Sequence, residues 1–329
     1  MTNTLVSLVR CAAIAVIAAA SVAAAQVAHA AAYPTKPLRL VTGSAPGGGS
    51  DFVARALAEK LSERFGQQVL VDNRPGAGGA IGADVVAKAN PDGYTLLLNT
   101  GSAIAVNPSL QPQPYDVKRD FAPVMQVSRA PFVLAVNPAL PAKSVSELIQ
   151  LAKASPGKYS YASSGIGAMS HLAMELFKSM AGVNVVHVPY RGSAPAAVDL
   201  IAGQVQLAMN NIVPTLPHVK SGRLRALGVS GPLRSPVLPQ VPTVAEAALP
   251  GYEAMQWYGV LLPAKVPKPI AALLHREISA VLQIPLVRTR LTEEGGDVVG
   301  GTPEQFAAYI ALETAKWARV VKVAGVKAE

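Results

Sequence analysis

From residue 38 onward, short apolar runs alternate with segments in which apolar residues recur every three or four positions. Leu38 to Thr42, Val69 to Asp72 and Tyr94 to Asn99 read as strands. Between the first two, Val53, Leu57 and Leu61 share one helical face that closes at Gly66. A second helix is predicted from about Ala80 to Ala89, ahead of the Pro91-Asp92-Gly93 turn. A β-α-β-α-β succession predicts a parallel sheet.

The alternation repeats further on. A strand is predicted near Phe132 to Val136, then a helix opened by the capping box Ser144-x-x-Glu147, and a strand at Tyr159 to Ala162. A helix around His171 to Ala181, a strand Val183 to Val188, a helix Ala196 to Ala202, and strands Val205 to Met209 and Leu224 to Ser230 complete this group. The proline-rich stretch Pro232 to Pro250 reads as a long irregular connection. Beyond it lie a strand at Met255 to Leu262 and helices starting near Pro269, Pro285 and Pro303, the last carrying Trp317. These late elements hold too few strands for a third unit, so they are expected to return to the first. The predicted domains are therefore residues 31–129 with 254–329 as lobe 1 and 130–253 as lobe 2, with the chain crossing between them twice. Ligands of such open α/β sheets bind beyond the carboxyl ends of the strands.

The first thirty residues stand apart. Arg10 precedes an apolar run from Cys11 to Val27 that ends in Ala28-His29-Ala30, the pattern of a secretory leader cleaved after Ala30. Cys11 opens that run rather than closing it, which argues against lipid attachment. It is also the single cysteine of the chain, so the mature protein has no disulfide and no thiolate chemistry. Export without disulfides points to a periplasm. The full chain carries 29 basic and 20 acidic residues, a formal net charge of +9; losing Arg10 leaves +8 (29 − 1 − 20). That sign favours anionic ligands, while the scatter of the cations argues against a nucleic-acid partner.

Three loops carry candidate chemistry, each between a predicted strand and a predicted helix. Ala45-Pro-Gly47-Gly48-Gly49-Ser50-Asp51 brings bare backbone N–H groups to a helix start, an anion cradle; read plainly, Ser50 or Asp51 simply caps the helix. Ser163-Ser164-Gly165-Ile-Gly167 repeats the arrangement. A serine nucleophile with His171 as base is the alternative there, but no Gly-x-Ser-x-Gly is present. In the third loop, Tyr190, Arg191, Gly192 and Ser193 offer an aromatic wall, a guanidinium and further donors; Arg191 is nearly as readily a solvated cation, so Tyr190 and the Gly192-Ser193 backbone carry the site. Arg74-Pro-Gly-Ala-Gly-Gly79 resembles a dinucleotide turn, but Ile81 stands where that pattern needs a small residue, which leaves a structural turn at the rim of the cleft. The histidines are widely spaced, so no metal, no cofactor and no catalytic residue is assigned.

Taken in order, Tyr33-Pro-x-Lys-Pro37, Ala45-Pro-Gly-Gly-Gly-Ser-Asp51, Val71-Asp-Asn-Arg-Pro-Gly-Ala-Gly-Gly79, Pro91-Asp-Gly-Tyr-Thr95, His187-Val-Pro-Tyr-Arg-Gly192 and Val241-Pro-Thr-Val-Ala-Glu246 resemble the Bug family, receptors of tripartite tricarboxylate transporters. The resemblance implies a two-lobed periplasmic binding protein of type II topology that closes on an organic acid and delivers it to two membrane subunits. It also implies that the ligand carboxylate is held by Gly47 to Asp51 and by Ser163 to Gly167, partly through water. The family usually has an aromatic residue where Ser44 stands and often an aspartate where Asn210 stands; both positions are expected to border the cleft. Ser44, Ser164 and Asn210 complete the candidate ligand-binding set. A monomeric carboxylate receptor is expected; a sensor partner of a membrane kinase and an exported hydrolase are the alternatives.

Overall fold

The computed structural model describes residues 33–293 and 295–327. The expected leader lies outside the described residues.

The first half-sheet forms as the pattern predicts. Strand β1 (Leu38–Thr42) pairs in parallel with β2 (Val69–Asn73) on one side and β3 (Thr95–Thr100) on the other. Helix α1 (Gly49–Phe65) buries Val53, Leu57 and Leu61 against this sheet and stops at Gly66, which takes the left-handed conformation at φ 62° that glycine adopts without steric cost. Helix α2 (Ala80–Ala87) follows β2.

The next segment departs from the prediction. After β3 the chain makes a buried π-helical turn at Ser102–Val106, followed by short helices α3 (Asn107–Leu110) and α4 (Val117–Asp120). Strand β4 then runs 16 residues, Phe121–Val136, of which only the last five, Phe132 to Val136, are predicted. Pro123, Arg129 and Pro131 mask residues 121–131. The ladder tolerates the break in pattern because its register shifts between Pro123 and Met125 and again between Gln126 and Ser128.

Strand β4 is the spine of the molecule. Its first part pairs with β9 (Met255–Pro263), and its second part with β7 (Leu207–Asn211) and β8 (Arg225–Val229). The resulting ten-stranded sheet runs β2-β1-β3-β9-β4-β7-β5-β6, where β5 is Ser160–Ser163 and β6 Val186–Pro189; β8 and β10 (Asp297–Gly300) also pair with β4. The chain leaves the first group of strands along β4 and returns at the start of β9, where Met255 faces Pro131, so it crosses twice.

Helices α5 (Val145–Ala154), α6 (Met169–Ala181), α7 (Ser193–Ala202) and α8 (Ile212–Lys220) dress the second group. The unpredicted α8 is disguised by Pro214 and Pro217. At the start of α5, Ser144 does accept from the Glu147 N–H, but the Glu147 carboxylate returns to the Lys143 N–H, one residue short of a capping box. A complete box does form in the proline-rich stretch, where Thr243 and Glu246 open helix α9 (Val244–Ala247). That stretch also buries Leu238, Val241, Val244 and Leu249, so it is a packed element rather than a loose connection.

Helices α10 (Lys268–Leu282) and α11 (Pro285–Glu293) return to α1, tied by Arg64 to Glu277 and by Arg290 to Glu59. Helix α12 (Pro303–Ala324) lies across both groups. Its Trp317, with Trp257 and Phe306, belongs to an apolar cluster that joins Leu97 of β3 to Leu172 and Phe177 of α6. Inside that cluster the Glu313 carboxylate accepts from both indoles, at 3.1 Å from Trp257 and 2.8 Å from Trp317.

Candidate functional site

All three candidate loops leave the carboxyl ends of parallel strands, β1, β5 and β6, where chain reversal exposes helix N-termini. The Gly-rich loop is rigidly tied. Its helix begins at Gly49 after Gly48, with no side-chain cap, so neither Ser50 nor Asp51 is the N-cap. Asp51 folds back instead: Oδ2 accepts from the Gly47 N–H and from Arg55 Nε, each at 2.9 Å, and Oδ1 from Asn73 Nδ2 at 2.9 Å. Burial opposes this charge, but the bonds from Arg55, Gly47 and Asn73 outweigh it and hold the carboxyl below its ordinary range.

Ser44 closes the same knot by accepting from the Asp51 N–H at 3.1 Å and, through its carbonyl, from Asn73 at 3.0 Å. Gly48 N–H turns onto the Ala45 carbonyl. The donors left for an outside acceptor are therefore the Gly49 and Ser50 N–H groups at the start of α1. Gly49 is required there because a Cβ would sit 2.2 Å from the Tyr258 hydroxyl.

The Ser163 loop is tied from beneath. Ser163 Oγ bonds His187 Nε2 at 2.7 Å and accepts from the Gly165 N–H, while Ser170 Oγ accepts from the Ser164 N–H and meets the Ser164 hydroxyl at 2.8 Å. His171 lies on α6 and its Nδ1 accepts from the Gly167 N–H at 3.1 Å. His171 and His187 stack with ring centroids 3.9 Å apart. Burial and a neighbouring cation or imidazole lower their pKa values to about 3 and about 4, so both rings are neutral at ordinary pH. The serine partner is thus His187 rather than His171, and Ser163 is 2% exposed, a loop support rather than a presented hydroxyl. Between the two groups of strands, Ser102 Oγ accepts from the Met169 N–H at the head of α6.

In the third loop Tyr190 N–H bonds the Ser163 carbonyl, and its hydroxyl donates to Asp199 at 2.7 Å. Burial and that carboxylate push the phenol up to about 12. Asn210 is 2% exposed; its amide donates to the Ser193 carbonyl and accepts from the Asn211 N–H, so it holds the head of α7 in place. The Gly192, Ser193 and Ala194 N–H groups at that helix start have no intrahelical acceptor.

A cavity of about 380 Å³ opens between the two groups of strands. Gly165, Ile166, Pro189, Tyr190 and Arg191 line it from one side. Ala77, Gly78, Asn107, Leu110 and Gln111 line it from the other. The structure therefore brings Gly165 and Tyr190 together at the cavity, whereas Ser44, Gly47 to Asp51, Ser163, Ser164, Gly167, Gly192, Ser193 and Asn210 do not line it. The opposing wall was read only as a rim, at Ala77 and Gly78; Asn107, Leu110 and Gln111 were not anticipated. Ala77 and Gly78 sit in a run from Gly76 to Gly79 with every φ positive, and the glycines there are the visible trace of that turn. The carbonyl of Ala77 is held by Asn107 Nδ2 at 2.9 Å.

The family model described as tripartite tricarboxylate transporter family receptor matches residues 53–326. The chain belongs to this family. The protein BugT of Bordetella pertussis is 42% identical over 297 residues, 90% of this chain and 91% of that one. A solved R. palustris protein with adipate is 38% identical with a TM-score of 0.83, over 90% of this chain and 99% of that one. MatC from Rhodopseudomonas palustris with bound malate is 32% identical with a TM-score of 0.79, over 88% of this chain and all of that one (100%). The expected family and the mixed α/β fold of a periplasmic binding protein are both met. Family and fold are those of solute-binding receptors, and the donors of the three loops are partly spent on internal ties.

Proposed function

We propose that this chain is a periplasmic solute-binding receptor, not an enzyme, that captures a small organic carboxylate and delivers it to the membrane subunits of a tripartite tricarboxylate transporter. Residues 1–30 are removed after Ala30, residues 31–129 with 254–329 form lobe 1, residues 130–253 form lobe 2, and the receptor acts as a monomer. One observation carries the reading. The cavity between the two groups of strands is lined by one guanidinium, two carboxamides and no carboxylate.

The electrostatics suit an anion. Each charge-assisted hydrogen bond contributes about 1.5 to 3 kcal/mol. Three or four of them, less the cost of ordering and desolvation, reach the roughly 8 kcal/mol of a micromolar site. The Gly49–Ser50 and Gly192–Ala194 helix starts, with the Ser163 to Gly167 loop between them, are the proposed holders; Ser44, Asp51 and Asn210 shape those loops from behind. Relatives solved with adipate and with malate support a carboxylate as cargo. Mass spectrometry of the small molecules released on denaturing freshly purified protein is expected to find an organic carboxylate in stoichiometric amount. Release of an amine or a sugar in that amount would overturn the reading.

A further inference from the structure

Away from the cleft, two adjoining cavities form a furrow along α12. One, of about 770 Å³, lies between α12 and residues 104–123. The other, of about 340 Å³, lies between α10, the start of α12 and strands β4 and β9. Pro123 lines both. The furrow follows α12 from Pro303 to Ala318, about 22 Å at the helical rise. Its lining is predominantly apolar. Ala307, Ala311 and Ala315, exposed and one turn apart on α12, face Val117 and Phe121, and Leu312 beside them is 71% exposed. A contiguous apolar surface of this kind marks an interaction site.

Shape and charge select the occupant. The small side chains along α12 let a second helix approach closely, and the length is that of about four helical turns. Pro123 has no N–H to offer, so an added strand could not pair with β4 there. The rim is cationic. Lys118 lines one cavity and Lys268 the other, and among the described residues neither has a carboxylate within ion-pair distance. Asp116, the acid that lines the furrow, is spent on capping α4, where it accepts from the Lys118 and Arg119 N–H groups. A second copy of the chain would bring Arg319 and Lys322 of its own α12 to this rim, like charge against like.

We propose that the furrow is the docking site of an amphipathic helix from a partner protein, its apolar face on Ala307, Ala311 and Ala315 and its acidic flanks toward Lys118 and Lys268. The site is separate from the cleft and stands whatever the cleft binds.

Fluorescence anisotropy of the purified receptor with a labelled helical peptide of about four turns tests this. The peptide carries leucine at i, i+4, i+7 and i+11 with glutamate on the flanks; one control has lysine for glutamate, and another has the same composition with the leucines scattered. The acidic peptide is expected to bind saturably, the lysine peptide several-fold more weakly, and the scattered peptide not at all. Ala311→Arg, on the exposed face, should weaken the acidic peptide at least about tenfold. Lys118→Glu combined with Lys268→Glu should turn the preference toward the lysine peptide. Leu286→Arg, which removes an exposed apolar residue of α11, should bind as wild type does. Unaltered thermal unfolding of the variants guards against misfolding. No binding of the acidic peptide, equal binding by Ala311→Arg, or equal affinity for the acidic and lysine peptides would overturn the proposal. Adsorption to anionic phospholipid vesicles that Ala311→Arg abolishes would put a lipid surface in the furrow and overturn it, as would self-association that the same variant abolishes.

Discussion

Replacing Glu313 by alanine should be among the most damaging single changes in this chain. The carboxylate is 6% exposed and accepts from the indole N–H groups of Trp257 and Trp317, both fully buried, with Lys316 at 3.5 Å as its exit toward solvent. Removing it strands two buried donors, each worth about 1 to 3 kcal/mol when left without a partner. It also opens a void beside two large rings, for which a further loss of about 1 kcal/mol is reasonable. The expected total is therefore about 3 to 7 kcal/mol, a large share of the 5–15 kcal/mol typical of a whole domain. Glu313→Gln keeps one acceptor oxygen and should cost about half as much. The assay reads the site directly, because the chain has only two tryptophans and both donate to Glu313. Urea unfolding followed by fluorescence should show a lower midpoint for alanine than for glutamine, with an altered native emission spectrum. Equal midpoints for the two variants, or a native spectrum indistinguishable from wild type in both, would refute the reasoning.

Three further outcomes follow from the same geometry. Gly49→Ala places its methyl 2.2 Å from the Tyr258 hydroxyl, whereas Gly47→Ala meets open space at φ 79°, so calorimetry should show the first losing ligand affinity and the second only about 1 kcal/mol of stability; the opposite ranking would show that the head of α1 is not at the site. His171 and His187 stay neutral in the folded protein down to about pH 3 and about pH 4 but titrate near 6.5 when unfolded, so the unfolded chain gains protons first as pH falls. Stability is then full above pH 6.5 and falls below it by at most about 1.4 kcal/mol per pH unit per histidine; His187→Gln should roughly halve the slope of unfolding free energy between pH 6 and 4.5, and a flat wild-type profile there would contradict the stacked pair. Asn210→Asp exchanges a buried donor for an oxygen facing the Ser193 carbonyl and should cost about 1 to 3 kcal/mol in thermal unfolding; unchanged stability with a new preference for amino acids would place residue 210 against the ligand instead.

Much of the fold was readable because its elements keep their periods. Strand Leu38–Thr42 and helix Gly49–Phe65, with Val53, Leu57 and Leu61 inward and glycine at the stop, depend on local pattern and need no tertiary information. Residues 121–131 of β4 and helix α8 were hidden because prolines stand where a strand or helix pattern forbids them, and only long-range pairing or packing overrides that signal. The candidate site was half legible for a related reason. Gly-rich loops after strands announce exposed N–H groups, but whether Gly47 offers its N–H outward or spends it on Asp51 depends on a side chain four residues away turning back. The Asn107 to Gln111 wall carries no motif at all; it reaches the cavity because the buried π-helical turn before it swings the chain across.

Under the proposed function, the cleft recognises the negative charge of a carboxylate through backbone donors and a guanidinium. Titration calorimetry with the carboxylate found to bind best and with its isosteric primary amide tests this most directly. The claim predicts micromolar or tighter binding of the acid, an affinity for the amide at least about a hundredfold weaker, corresponding to about 2.7 kcal/mol, and weakening of the acid as salt is raised. Equal affinity for acid and amide, insensitive to salt, would contradict it.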